Sequence, residues 1–140
     1  MTAINLLLVD DEIEFRATLQ KRLIKRELYV KSVDSGEGAL DILSKQMFDV
    51  VVLDVKMKGM DGIEALREIK KQCPLVEVIM LTGHAEVEVA MKGMELGAFD
   101  YLMKPMDIDD LLYKIQDAYK KKSIQEQKIM DIETSINNEI

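Results

Sequence analysis

Five short apolar runs alternate with helical patterns along this chain, and the alternation leaves little freedom of fold. The runs cover residues 4–9, 28–33, 50–53, 76–81 and 99–102. Continuous apolar runs of this length suit strands buried on both faces of a parallel sheet. The first helical pattern, 12–26, lines up Phe15, Leu19 and Leu23 on one face, with Ala17 or Ile24 beside them. The second, 36–46, follows Ser35 as an N-cap and turns Ala39, Leu40 and Leu43 inward. The third, 62–72, uses Ile63, Leu66 and Ile69. The fourth, 86–96, stops at Gly97, a residue suited to a C-terminal cap. The fifth opens on the acids 107–110, which favour a helix N-terminus, and continues through Leu111, Leu112 and Ile115. Strand and helix in this order predict an α/β fold: a doubly wound five-stranded parallel sheet with helices on both faces. In the common version the strand order is 2-1-3-4-5, and ligands sit beyond the carboxyl ends of strands 1 and 3.

The 140 residues provide one domain, 1–120, followed by a C-terminal helical extension or linker, 121–140. A net charge of −7 argues against direct non-specific binding to nucleic acid, which needs a basic face. One cysteine, Cys73, excludes an intramolecular disulfide and fits a reduced, cytoplasmic setting; it reads as a small residue before the turn at Pro74. No apolar run approaches the roughly 20 residues that span a bilayer, and no signal-peptide pattern opens the chain. In the tail, Ile115, Ala118, Lys122, Gln125, Ile129, Ile132 and Ile136 recur at alternating steps of three and four, a heptad seam with a polar middle. The pattern predicts a helix running past the domain and offering a homodimer seam. A frayed tail competes with that expectation, because short isolated helices are marginal in water. The lysines 120–122 read as a solvated helix face. The ten methionines read as core filler, with Met91, Met94 and Met106 as candidates for a partner surface.

The chemistry gathers where the strands end. Asp10 and Asp11 follow the first run directly, and Asp54 follows the third. On neighbouring parallel strands these acids share one pocket, and like charges that close need a cation. An all-oxygen set suits Mg²⁺. One carboxylate could then act as nucleophile toward a phosphoryl group. Thr82 follows the fourth run and Lys104-Pro105 the fifth, so a hydroxyl and an ammonium join the set. Phosphoryl transfer needs mostly positioning and charge neutralisation.

The segments Leu8-Val9-Asp10-Asp11-Glu12, Leu53-Asp54-Val55-Lys56-Met57, Leu81-Thr82-Gly83 and Tyr101-Leu102-Met103-Lys104-Pro105 resemble, in order and spacing, the receiver domain of bacterial two-component response regulators. Gly59-Met60-Asp61-Gly62 and Gly97-Ala98-Phe99-Asp100-Tyr101 fit the same pattern, and the resemblance covers about residues 3–120. It implies a flavodoxin-like fold and a set of roles. Asp54 would be the phosphoacceptor, served by a sensor histidine kinase or histidine phosphotransfer protein. Asp11, Asp54 and the backbone carbonyl of Lys56 would coordinate Mg²⁺, with Asp10 acting through a metal-bound water. Thr82 and Lys104 would bind the phosphoryl oxygens, and Tyr101 would be the aromatic switch. In the family the Lys-Pro bond is commonly cis, which would help to aim Lys104. The downstream effector would dock on the face built by the fourth helix, fifth strand and fifth helix, including Tyr101 and residues 90–94. The protein would be a phosphoacceptor that assists its own phosphorylation and dephosphorylation, not a turnover enzyme.

This sequence departs from the family at Lys58, where proline is usual four residues after the phosphoacceptor. Losing the fixed φ of proline predicts a more mobile loop, with a second positive charge beside Lys56. Lys56 and His84 occupy positions that tune the lifetime of the aspartyl phosphate in the family; His84 itself reads as a solvated loop residue. Two other readings stay open. One is a phosphatase with an aspartyl-phosphate intermediate, weakened because Lys56 stands where the haloacid dehalogenase type carries a second aspartate. The other is an interaction module that does not use phosphorylation.

Overall fold

Apolar runs that bury both faces at the centre of a sheet, flanked by less buried ones at its edges, find one arrangement, a sheet sandwiched between two helical layers. The computed structural model, which describes residues 3–138, has that arrangement. Its elements are β1 (Asn5–Val9), α1 (Ile13–Lys25), β2 (Tyr29–Val33), α2 (Gly36–Leu43), β3 (Val50–Asp54), α3 (Gly62–Gln72), β4 (Glu77–Thr82), a 3-10 turn (His84–Glu86), α4 (Val87–Glu95), β5 (Asp100–Met103) and α5 (Ile108–Asn138). The strands are parallel and ordered β2-β1-β3-β4-β5, as predicted. Each expected strand and helix is present, with ends moved by at most three residues and α3 at its expected bounds. The 3-10 turn before α4 was not anticipated.

Alternation along the strands divides the core. Leu7, Val9, Val51, Leu53, Val78 and Met80 face α2, α3 and α4, where Ala39, Leu43, Ala65, Leu66, Ile69 and Ala90 meet them. Leu6, Leu8, Val50, Val52, Ile79 and Leu81 face α1 and α5, against Leu19, Leu23, Leu111, Ile115 and Ala118. Full burial of one such side chain contributes about 1.5–3 kcal/mol, so the two layers hold the strand ends firmly in register. Ile24 and Ala17, considered for the inward face of α1, are both exposed.

Local signals fix the helix ends. Ser35 Oγ accepts from the Gly38 N–H at 3.0 Å, and Asp61 Oδ1 from the Glu64 N–H at 2.9 Å. Helix α4 ends with Gly97 at φ +105, and the Ala98 N–H donates to the Gly93 carbonyl at 3.0 Å. Helix α1 ends the same way with an unexpected residue, Glu27, in the left-handed region at φ 69.

Helix α5 continues without a break from the domain into the tail, through Asn138; residues 139–140 of the expected extension lie outside the described residues. At the usual helical rise its 31 residues extend about 46 Å. Leu111, Ile115, Ala118 and Lys122 are its buried positions, and Ile129, Ile132 and Ile136, farther along the same seam, are exposed. Lys122 corrects the expectation of a solvated lysine face. Its Nζ lies 3.0 Å from Asp49 Oδ1 and 2.8 Å from Glu126 Oε1. Burial alone would lower its pKa, but the two carboxylates outweigh burial and raise it above the usual lysine value. Beside it, Lys121 Nζ is 3.3 Å from Glu77 Oε2 and Lys70 Nζ is 3.7 Å from Glu77 Oε1. The Lys121 and Lys122 contacts anchor α5 to the starts of β3 and β4, at the pole opposite the acid cluster.

Candidate functional site

Register brings the acids together. Val9 pairs with Leu53, so Asp10 and Asp54 emerge side by side from adjacent strands. Asp54 is the last residue of β3 and only 5% exposed; Asp10 is fully buried. Asp10 Oδ1 accepts from the Glu12 N–H at 2.8 Å, and its backbone carbonyl accepts from Arg16 Nη1 at 2.6 Å. Asp54 Oδ1 accepts from the Lys56 N–H at 3.3 Å. Lys104, at the cis peptide bond to Pro105 after β5, places Nζ 3.1 Å from Asp10 Oδ2 and 3.4 Å from Asp54 Oδ2. The same ammonium lies 4.1 Å from the centre of the Phe15 ring. Gly62 keeps the β3–α3 connection tight. A Cβ there would meet the carbonyl oxygens of Asp54 and Val55 at 2.7 Å, so α3 can start this close to the acid only with glycine.

The cluster is short of positive charge. The Asp54 carboxyl is pushed up from 3.8 to about 6, first by burial and then by the neighbouring Asp10; Lys104 and the Lys56 N–H pull the other way and do not prevail. Carboxylate oxygens of Asp10, Glu12 and Asp54 all lie within 4.8 Å of one another. Hard oxygen donors crowded around an anion-rich pocket fit a divalent ion such as Mg²⁺. The helical pattern of the sequence starts at Glu12. Helix α1 begins one residue later, which leaves Glu12 as an extended N-cap residue at the mouth of the site. The signal that could have found it is its place as the third acid of the run 10–12.

Residues 6–116 match the family model for the response regulator receiver domain. The chain belongs to that family. Among its relatives, the transcriptional regulatory protein ZraR of Escherichia coli K12 is 40% identical over 115 residues, which cover 82% of this chain and 26% of ZraR. The regulatory protein AtoC of the same strain is 38% identical over 128 residues, covering 91% of this chain and 28% of AtoC. The chain thus spans about a quarter of the length of the curated relatives it matches. A response regulator receiver domain protein from Clostridium thermocellum superposes with a TM-score of 0.84 at 35% identity, covering 87% of this chain and 98% of that one. NtrX from Brucella abortus in complex with ADP gives a TM-score of 0.86 at 28% identity over 94% of this chain and 30% of NtrX.

Within this receiver domain the other predicted residues take distinct positions. Asp11 is not part of the close carboxylate group; its Oδ2 accepts from the Lys58 N–H at 3.0 Å. Thr82 ends β4, one register position beyond the residue facing Asp54. It is fully buried, and its hydroxyl donates to the Gly83 carbonyl at 2.9 Å. A cleft of about 290 Å³ opens over Asp54 and is lined by Glu12, Lys56, His84, Glu86 and Lys104 among others. His84 therefore borders the site, in keeping with its place at a position that tunes the aspartyl phosphate in the family and against its reading as a merely solvated loop residue. Tyr101 is half-buried, paired in register with Met80. Val89, Met91 and Met94 are exposed on α4, whereas Met106 is half-buried. Among the described residues no helix is long and apolar enough to cross a membrane.

Proposed function

We propose that Asp54 accepts a phosphoryl group from a histidine kinase or histidine phosphotransfer protein in a Mg²⁺-dependent reaction, and that the resulting aspartyl phosphate switches partner binding. The supporting observation is the placement of Asp54: a buried carboxylate at the end of β3, between the acids Asp10 and Glu12 and the ammonium of Lys104. Mg²⁺ would be held by carboxylates drawn from Asp10, Asp11, Glu12 and Asp54 together with the backbone carbonyl of Lys56. When bound, it neutralises charge on the phosphoryl oxygens. A carboxylate oxygen of Asp54 forms the new P–O bond while the bond from phosphorus to the donor breaks, and the donor leaves with that electron pair. Lys104 balances charge on a phosphoryl oxygen as a compact cation. Thr82 exchanges its bond to the Gly83 carbonyl for one to the phosphoryl group, and Tyr101 turns inward as it moves. The phosphoryl group adds about two negative charges at a site already short of positive charge, which biases the α4–β5–α5 face toward a second conformation.

Val89, Met91 and Met94 on that face offer the apolar contacts a downstream effector would use. Ile129, Ile132 and Ile136 on α5 offer a seam to a second copy of the chain. The protein is a phosphoacceptor that assists its own chemistry, not a turnover enzyme, and it works in the cytoplasm with its kinase. Lys56 lines the cleft where a haloacid-dehalogenase-type phosphatase would carry its general acid, which disfavours that reading. Incubation with acetyl phosphate and Mg²⁺ tests the proposal. Intact-mass spectrometry should show one added phosphoryl group, lost with EDTA and absent from Asp54→Asn. Equal labelling of Asp54→Asn would exclude it.

A further inference from the structure

Lys58 has what proline lacks, a backbone N–H, and the structure uses it. That N–H donates to Asp11 Oδ2 at 3.0 Å, across 47 positions of sequence. The three carboxylates gathered within 4.8 Å are Asp10, Glu12 and Asp54, and Asp11 is outside them. Asp11 follows Asp10 in the chain and is only half-buried, so its side chain has a choice between the cluster and the β3–α3 loop. It takes the loop, where the Lys58 N–H meets it. A hydrogen bond to an ionised acceptor is among the stronger ones a backbone amide makes, although exposure to water weakens it.

We infer that the Lys58 N–H is a latch on Asp11, a positioning contact that a divalent cation must displace to recruit that carboxylate. The inference rests on the proposed metal site and adds a determinant of its affinity. In the metal-free protein the latch draws one negative charge away from a pocket that already holds three carboxylates, which lessens their repulsion. When the cation arrives, Asp11 trades an amide for the metal, and the cost of breaking the latch is subtracted from the affinity. The side-chain charge of Lys58 is a separate effect, exposed and screened. Lys58 lies outside the left-handed backbone region, so proline is not excluded there by a positive φ.

Two substitutions separate amide from charge. Lys58→Ala removes the charge and keeps the N–H; Lys58→Pro removes both. Calorimetric titration with MgCl₂ should show Lys58→Pro binding about threefold to tenfold more tightly than Lys58→Ala, in keeping with one solvent-weakened charged hydrogen bond. Equal affinities for the two variants, or weaker binding by Lys58→Pro, would overturn the latch. A readout that needs no variant is the Lys58 amide of the wild-type chain by NMR. Saturating Mg²⁺ should move its proton upfield as the bond to Asp11 breaks, and an unmoved resonance would overturn the latch even if the proline variant failed to fold. A wild-type chain that binds no Mg²⁺ would overturn the metal site and the latch with it; a chain that binds Mg²⁺ with the amide unmoved leaves the site standing and removes only the latch.

Discussion

The ammonium of Lys104, carried at the end of β5, sits 3.4 Å from Oδ2 of Asp54 at the end of β3. It also lies 3.1 Å from Asp10 Oδ2, so a single positive charge is divided between two buried carboxylates. Removing it with Lys104→Met leaves both acids without that counter-charge. In metal-free buffer near neutral pH the variant should lose about 1–3 kcal/mol of stability in urea unfolding, because breaking a partly buried pair strands the remaining charge. The loss should shrink near pH 5, where Asp54 takes up a proton. An identical loss at both pH values would mean that the side chain's packing, not its charge, matters.

Asp54 sets the pH dependence of stability in metal-free buffer. Its folded-state pKa is raised from 3.8 to about 6. The stability linked to the protonated form is therefore fully present below about 3.8 and is lost as pH rises through about 6. Metal-free Asp54→Asn escapes that loss. At pH 7.5 it should be more stable than the wild type by roughly 2–3 kcal/mol, a difference that vanishes toward pH 4. Mg²⁺ should raise the wild-type melting temperature and narrow the gap. Parallel pH–stability curves for the two proteins would contradict the crowding of charge at Asp54.

Glu27 closes α1 in a conformation that suits glycine. Its N–H donates to the Ile24 carbonyl at 3.0 Å and the Leu28 N–H to the Leu23 carbonyl at 3.5 Å, a Schellman pair with Glu27 at φ 69. A residue with a Cβ pays strain in that region. Glu27→Gly should therefore stabilise the domain by about 0.5–1 kcal/mol, after the extra chain entropy of glycine is subtracted. Thermal unfolding checks it, and a destabilised variant would show that the Glu27 side chain makes a compensating contact.

The central strands β1, β3 and β4 were readable because they are buried on both faces and so appear as apolar runs, whereas the edge strands β2 and β5 are only partly buried and were placed by the β/α alternation. Asp10, Asp54 and Lys104 were readable because they close such runs. What could not be read depends on partners far along the chain. Lys122 looks like one of three solvated lysines until Asp49, 73 positions earlier, is folded beneath it. Asp11 and Glu12 both follow Asp10; Glu12 lies beside Asp54, while Asp11 accepts from the Lys58 N–H, 47 positions away. The position of His84 against the cleft depends on the 3-10 turn His84–Glu86, for which no strong local signal exists.

The tail seam changes partners at Lys122, from the sheet to open solvent. If a second copy covers it, charges placed there should separate the copies without unfolding either. Ile129→Asp with Ile136→Asp, at two exposed positions, should convert a dimer to a monomer in sedimentation equilibrium while leaving the domain's unfolding unchanged. The same mass per particle for both proteins would remove self-association through the tail.

The most direct test of the account is to find the phosphorylated atom. After treatment with acetyl phosphate and Mg²⁺, borohydride reduction converts an aspartyl phosphate to homoserine, and peptide mass spectrometry locates it. The account predicts homoserine at position 54 and at no other aspartate. Homoserine at Asp10 or Asp11, or none at all in a chain that binds Mg²⁺, would contradict it.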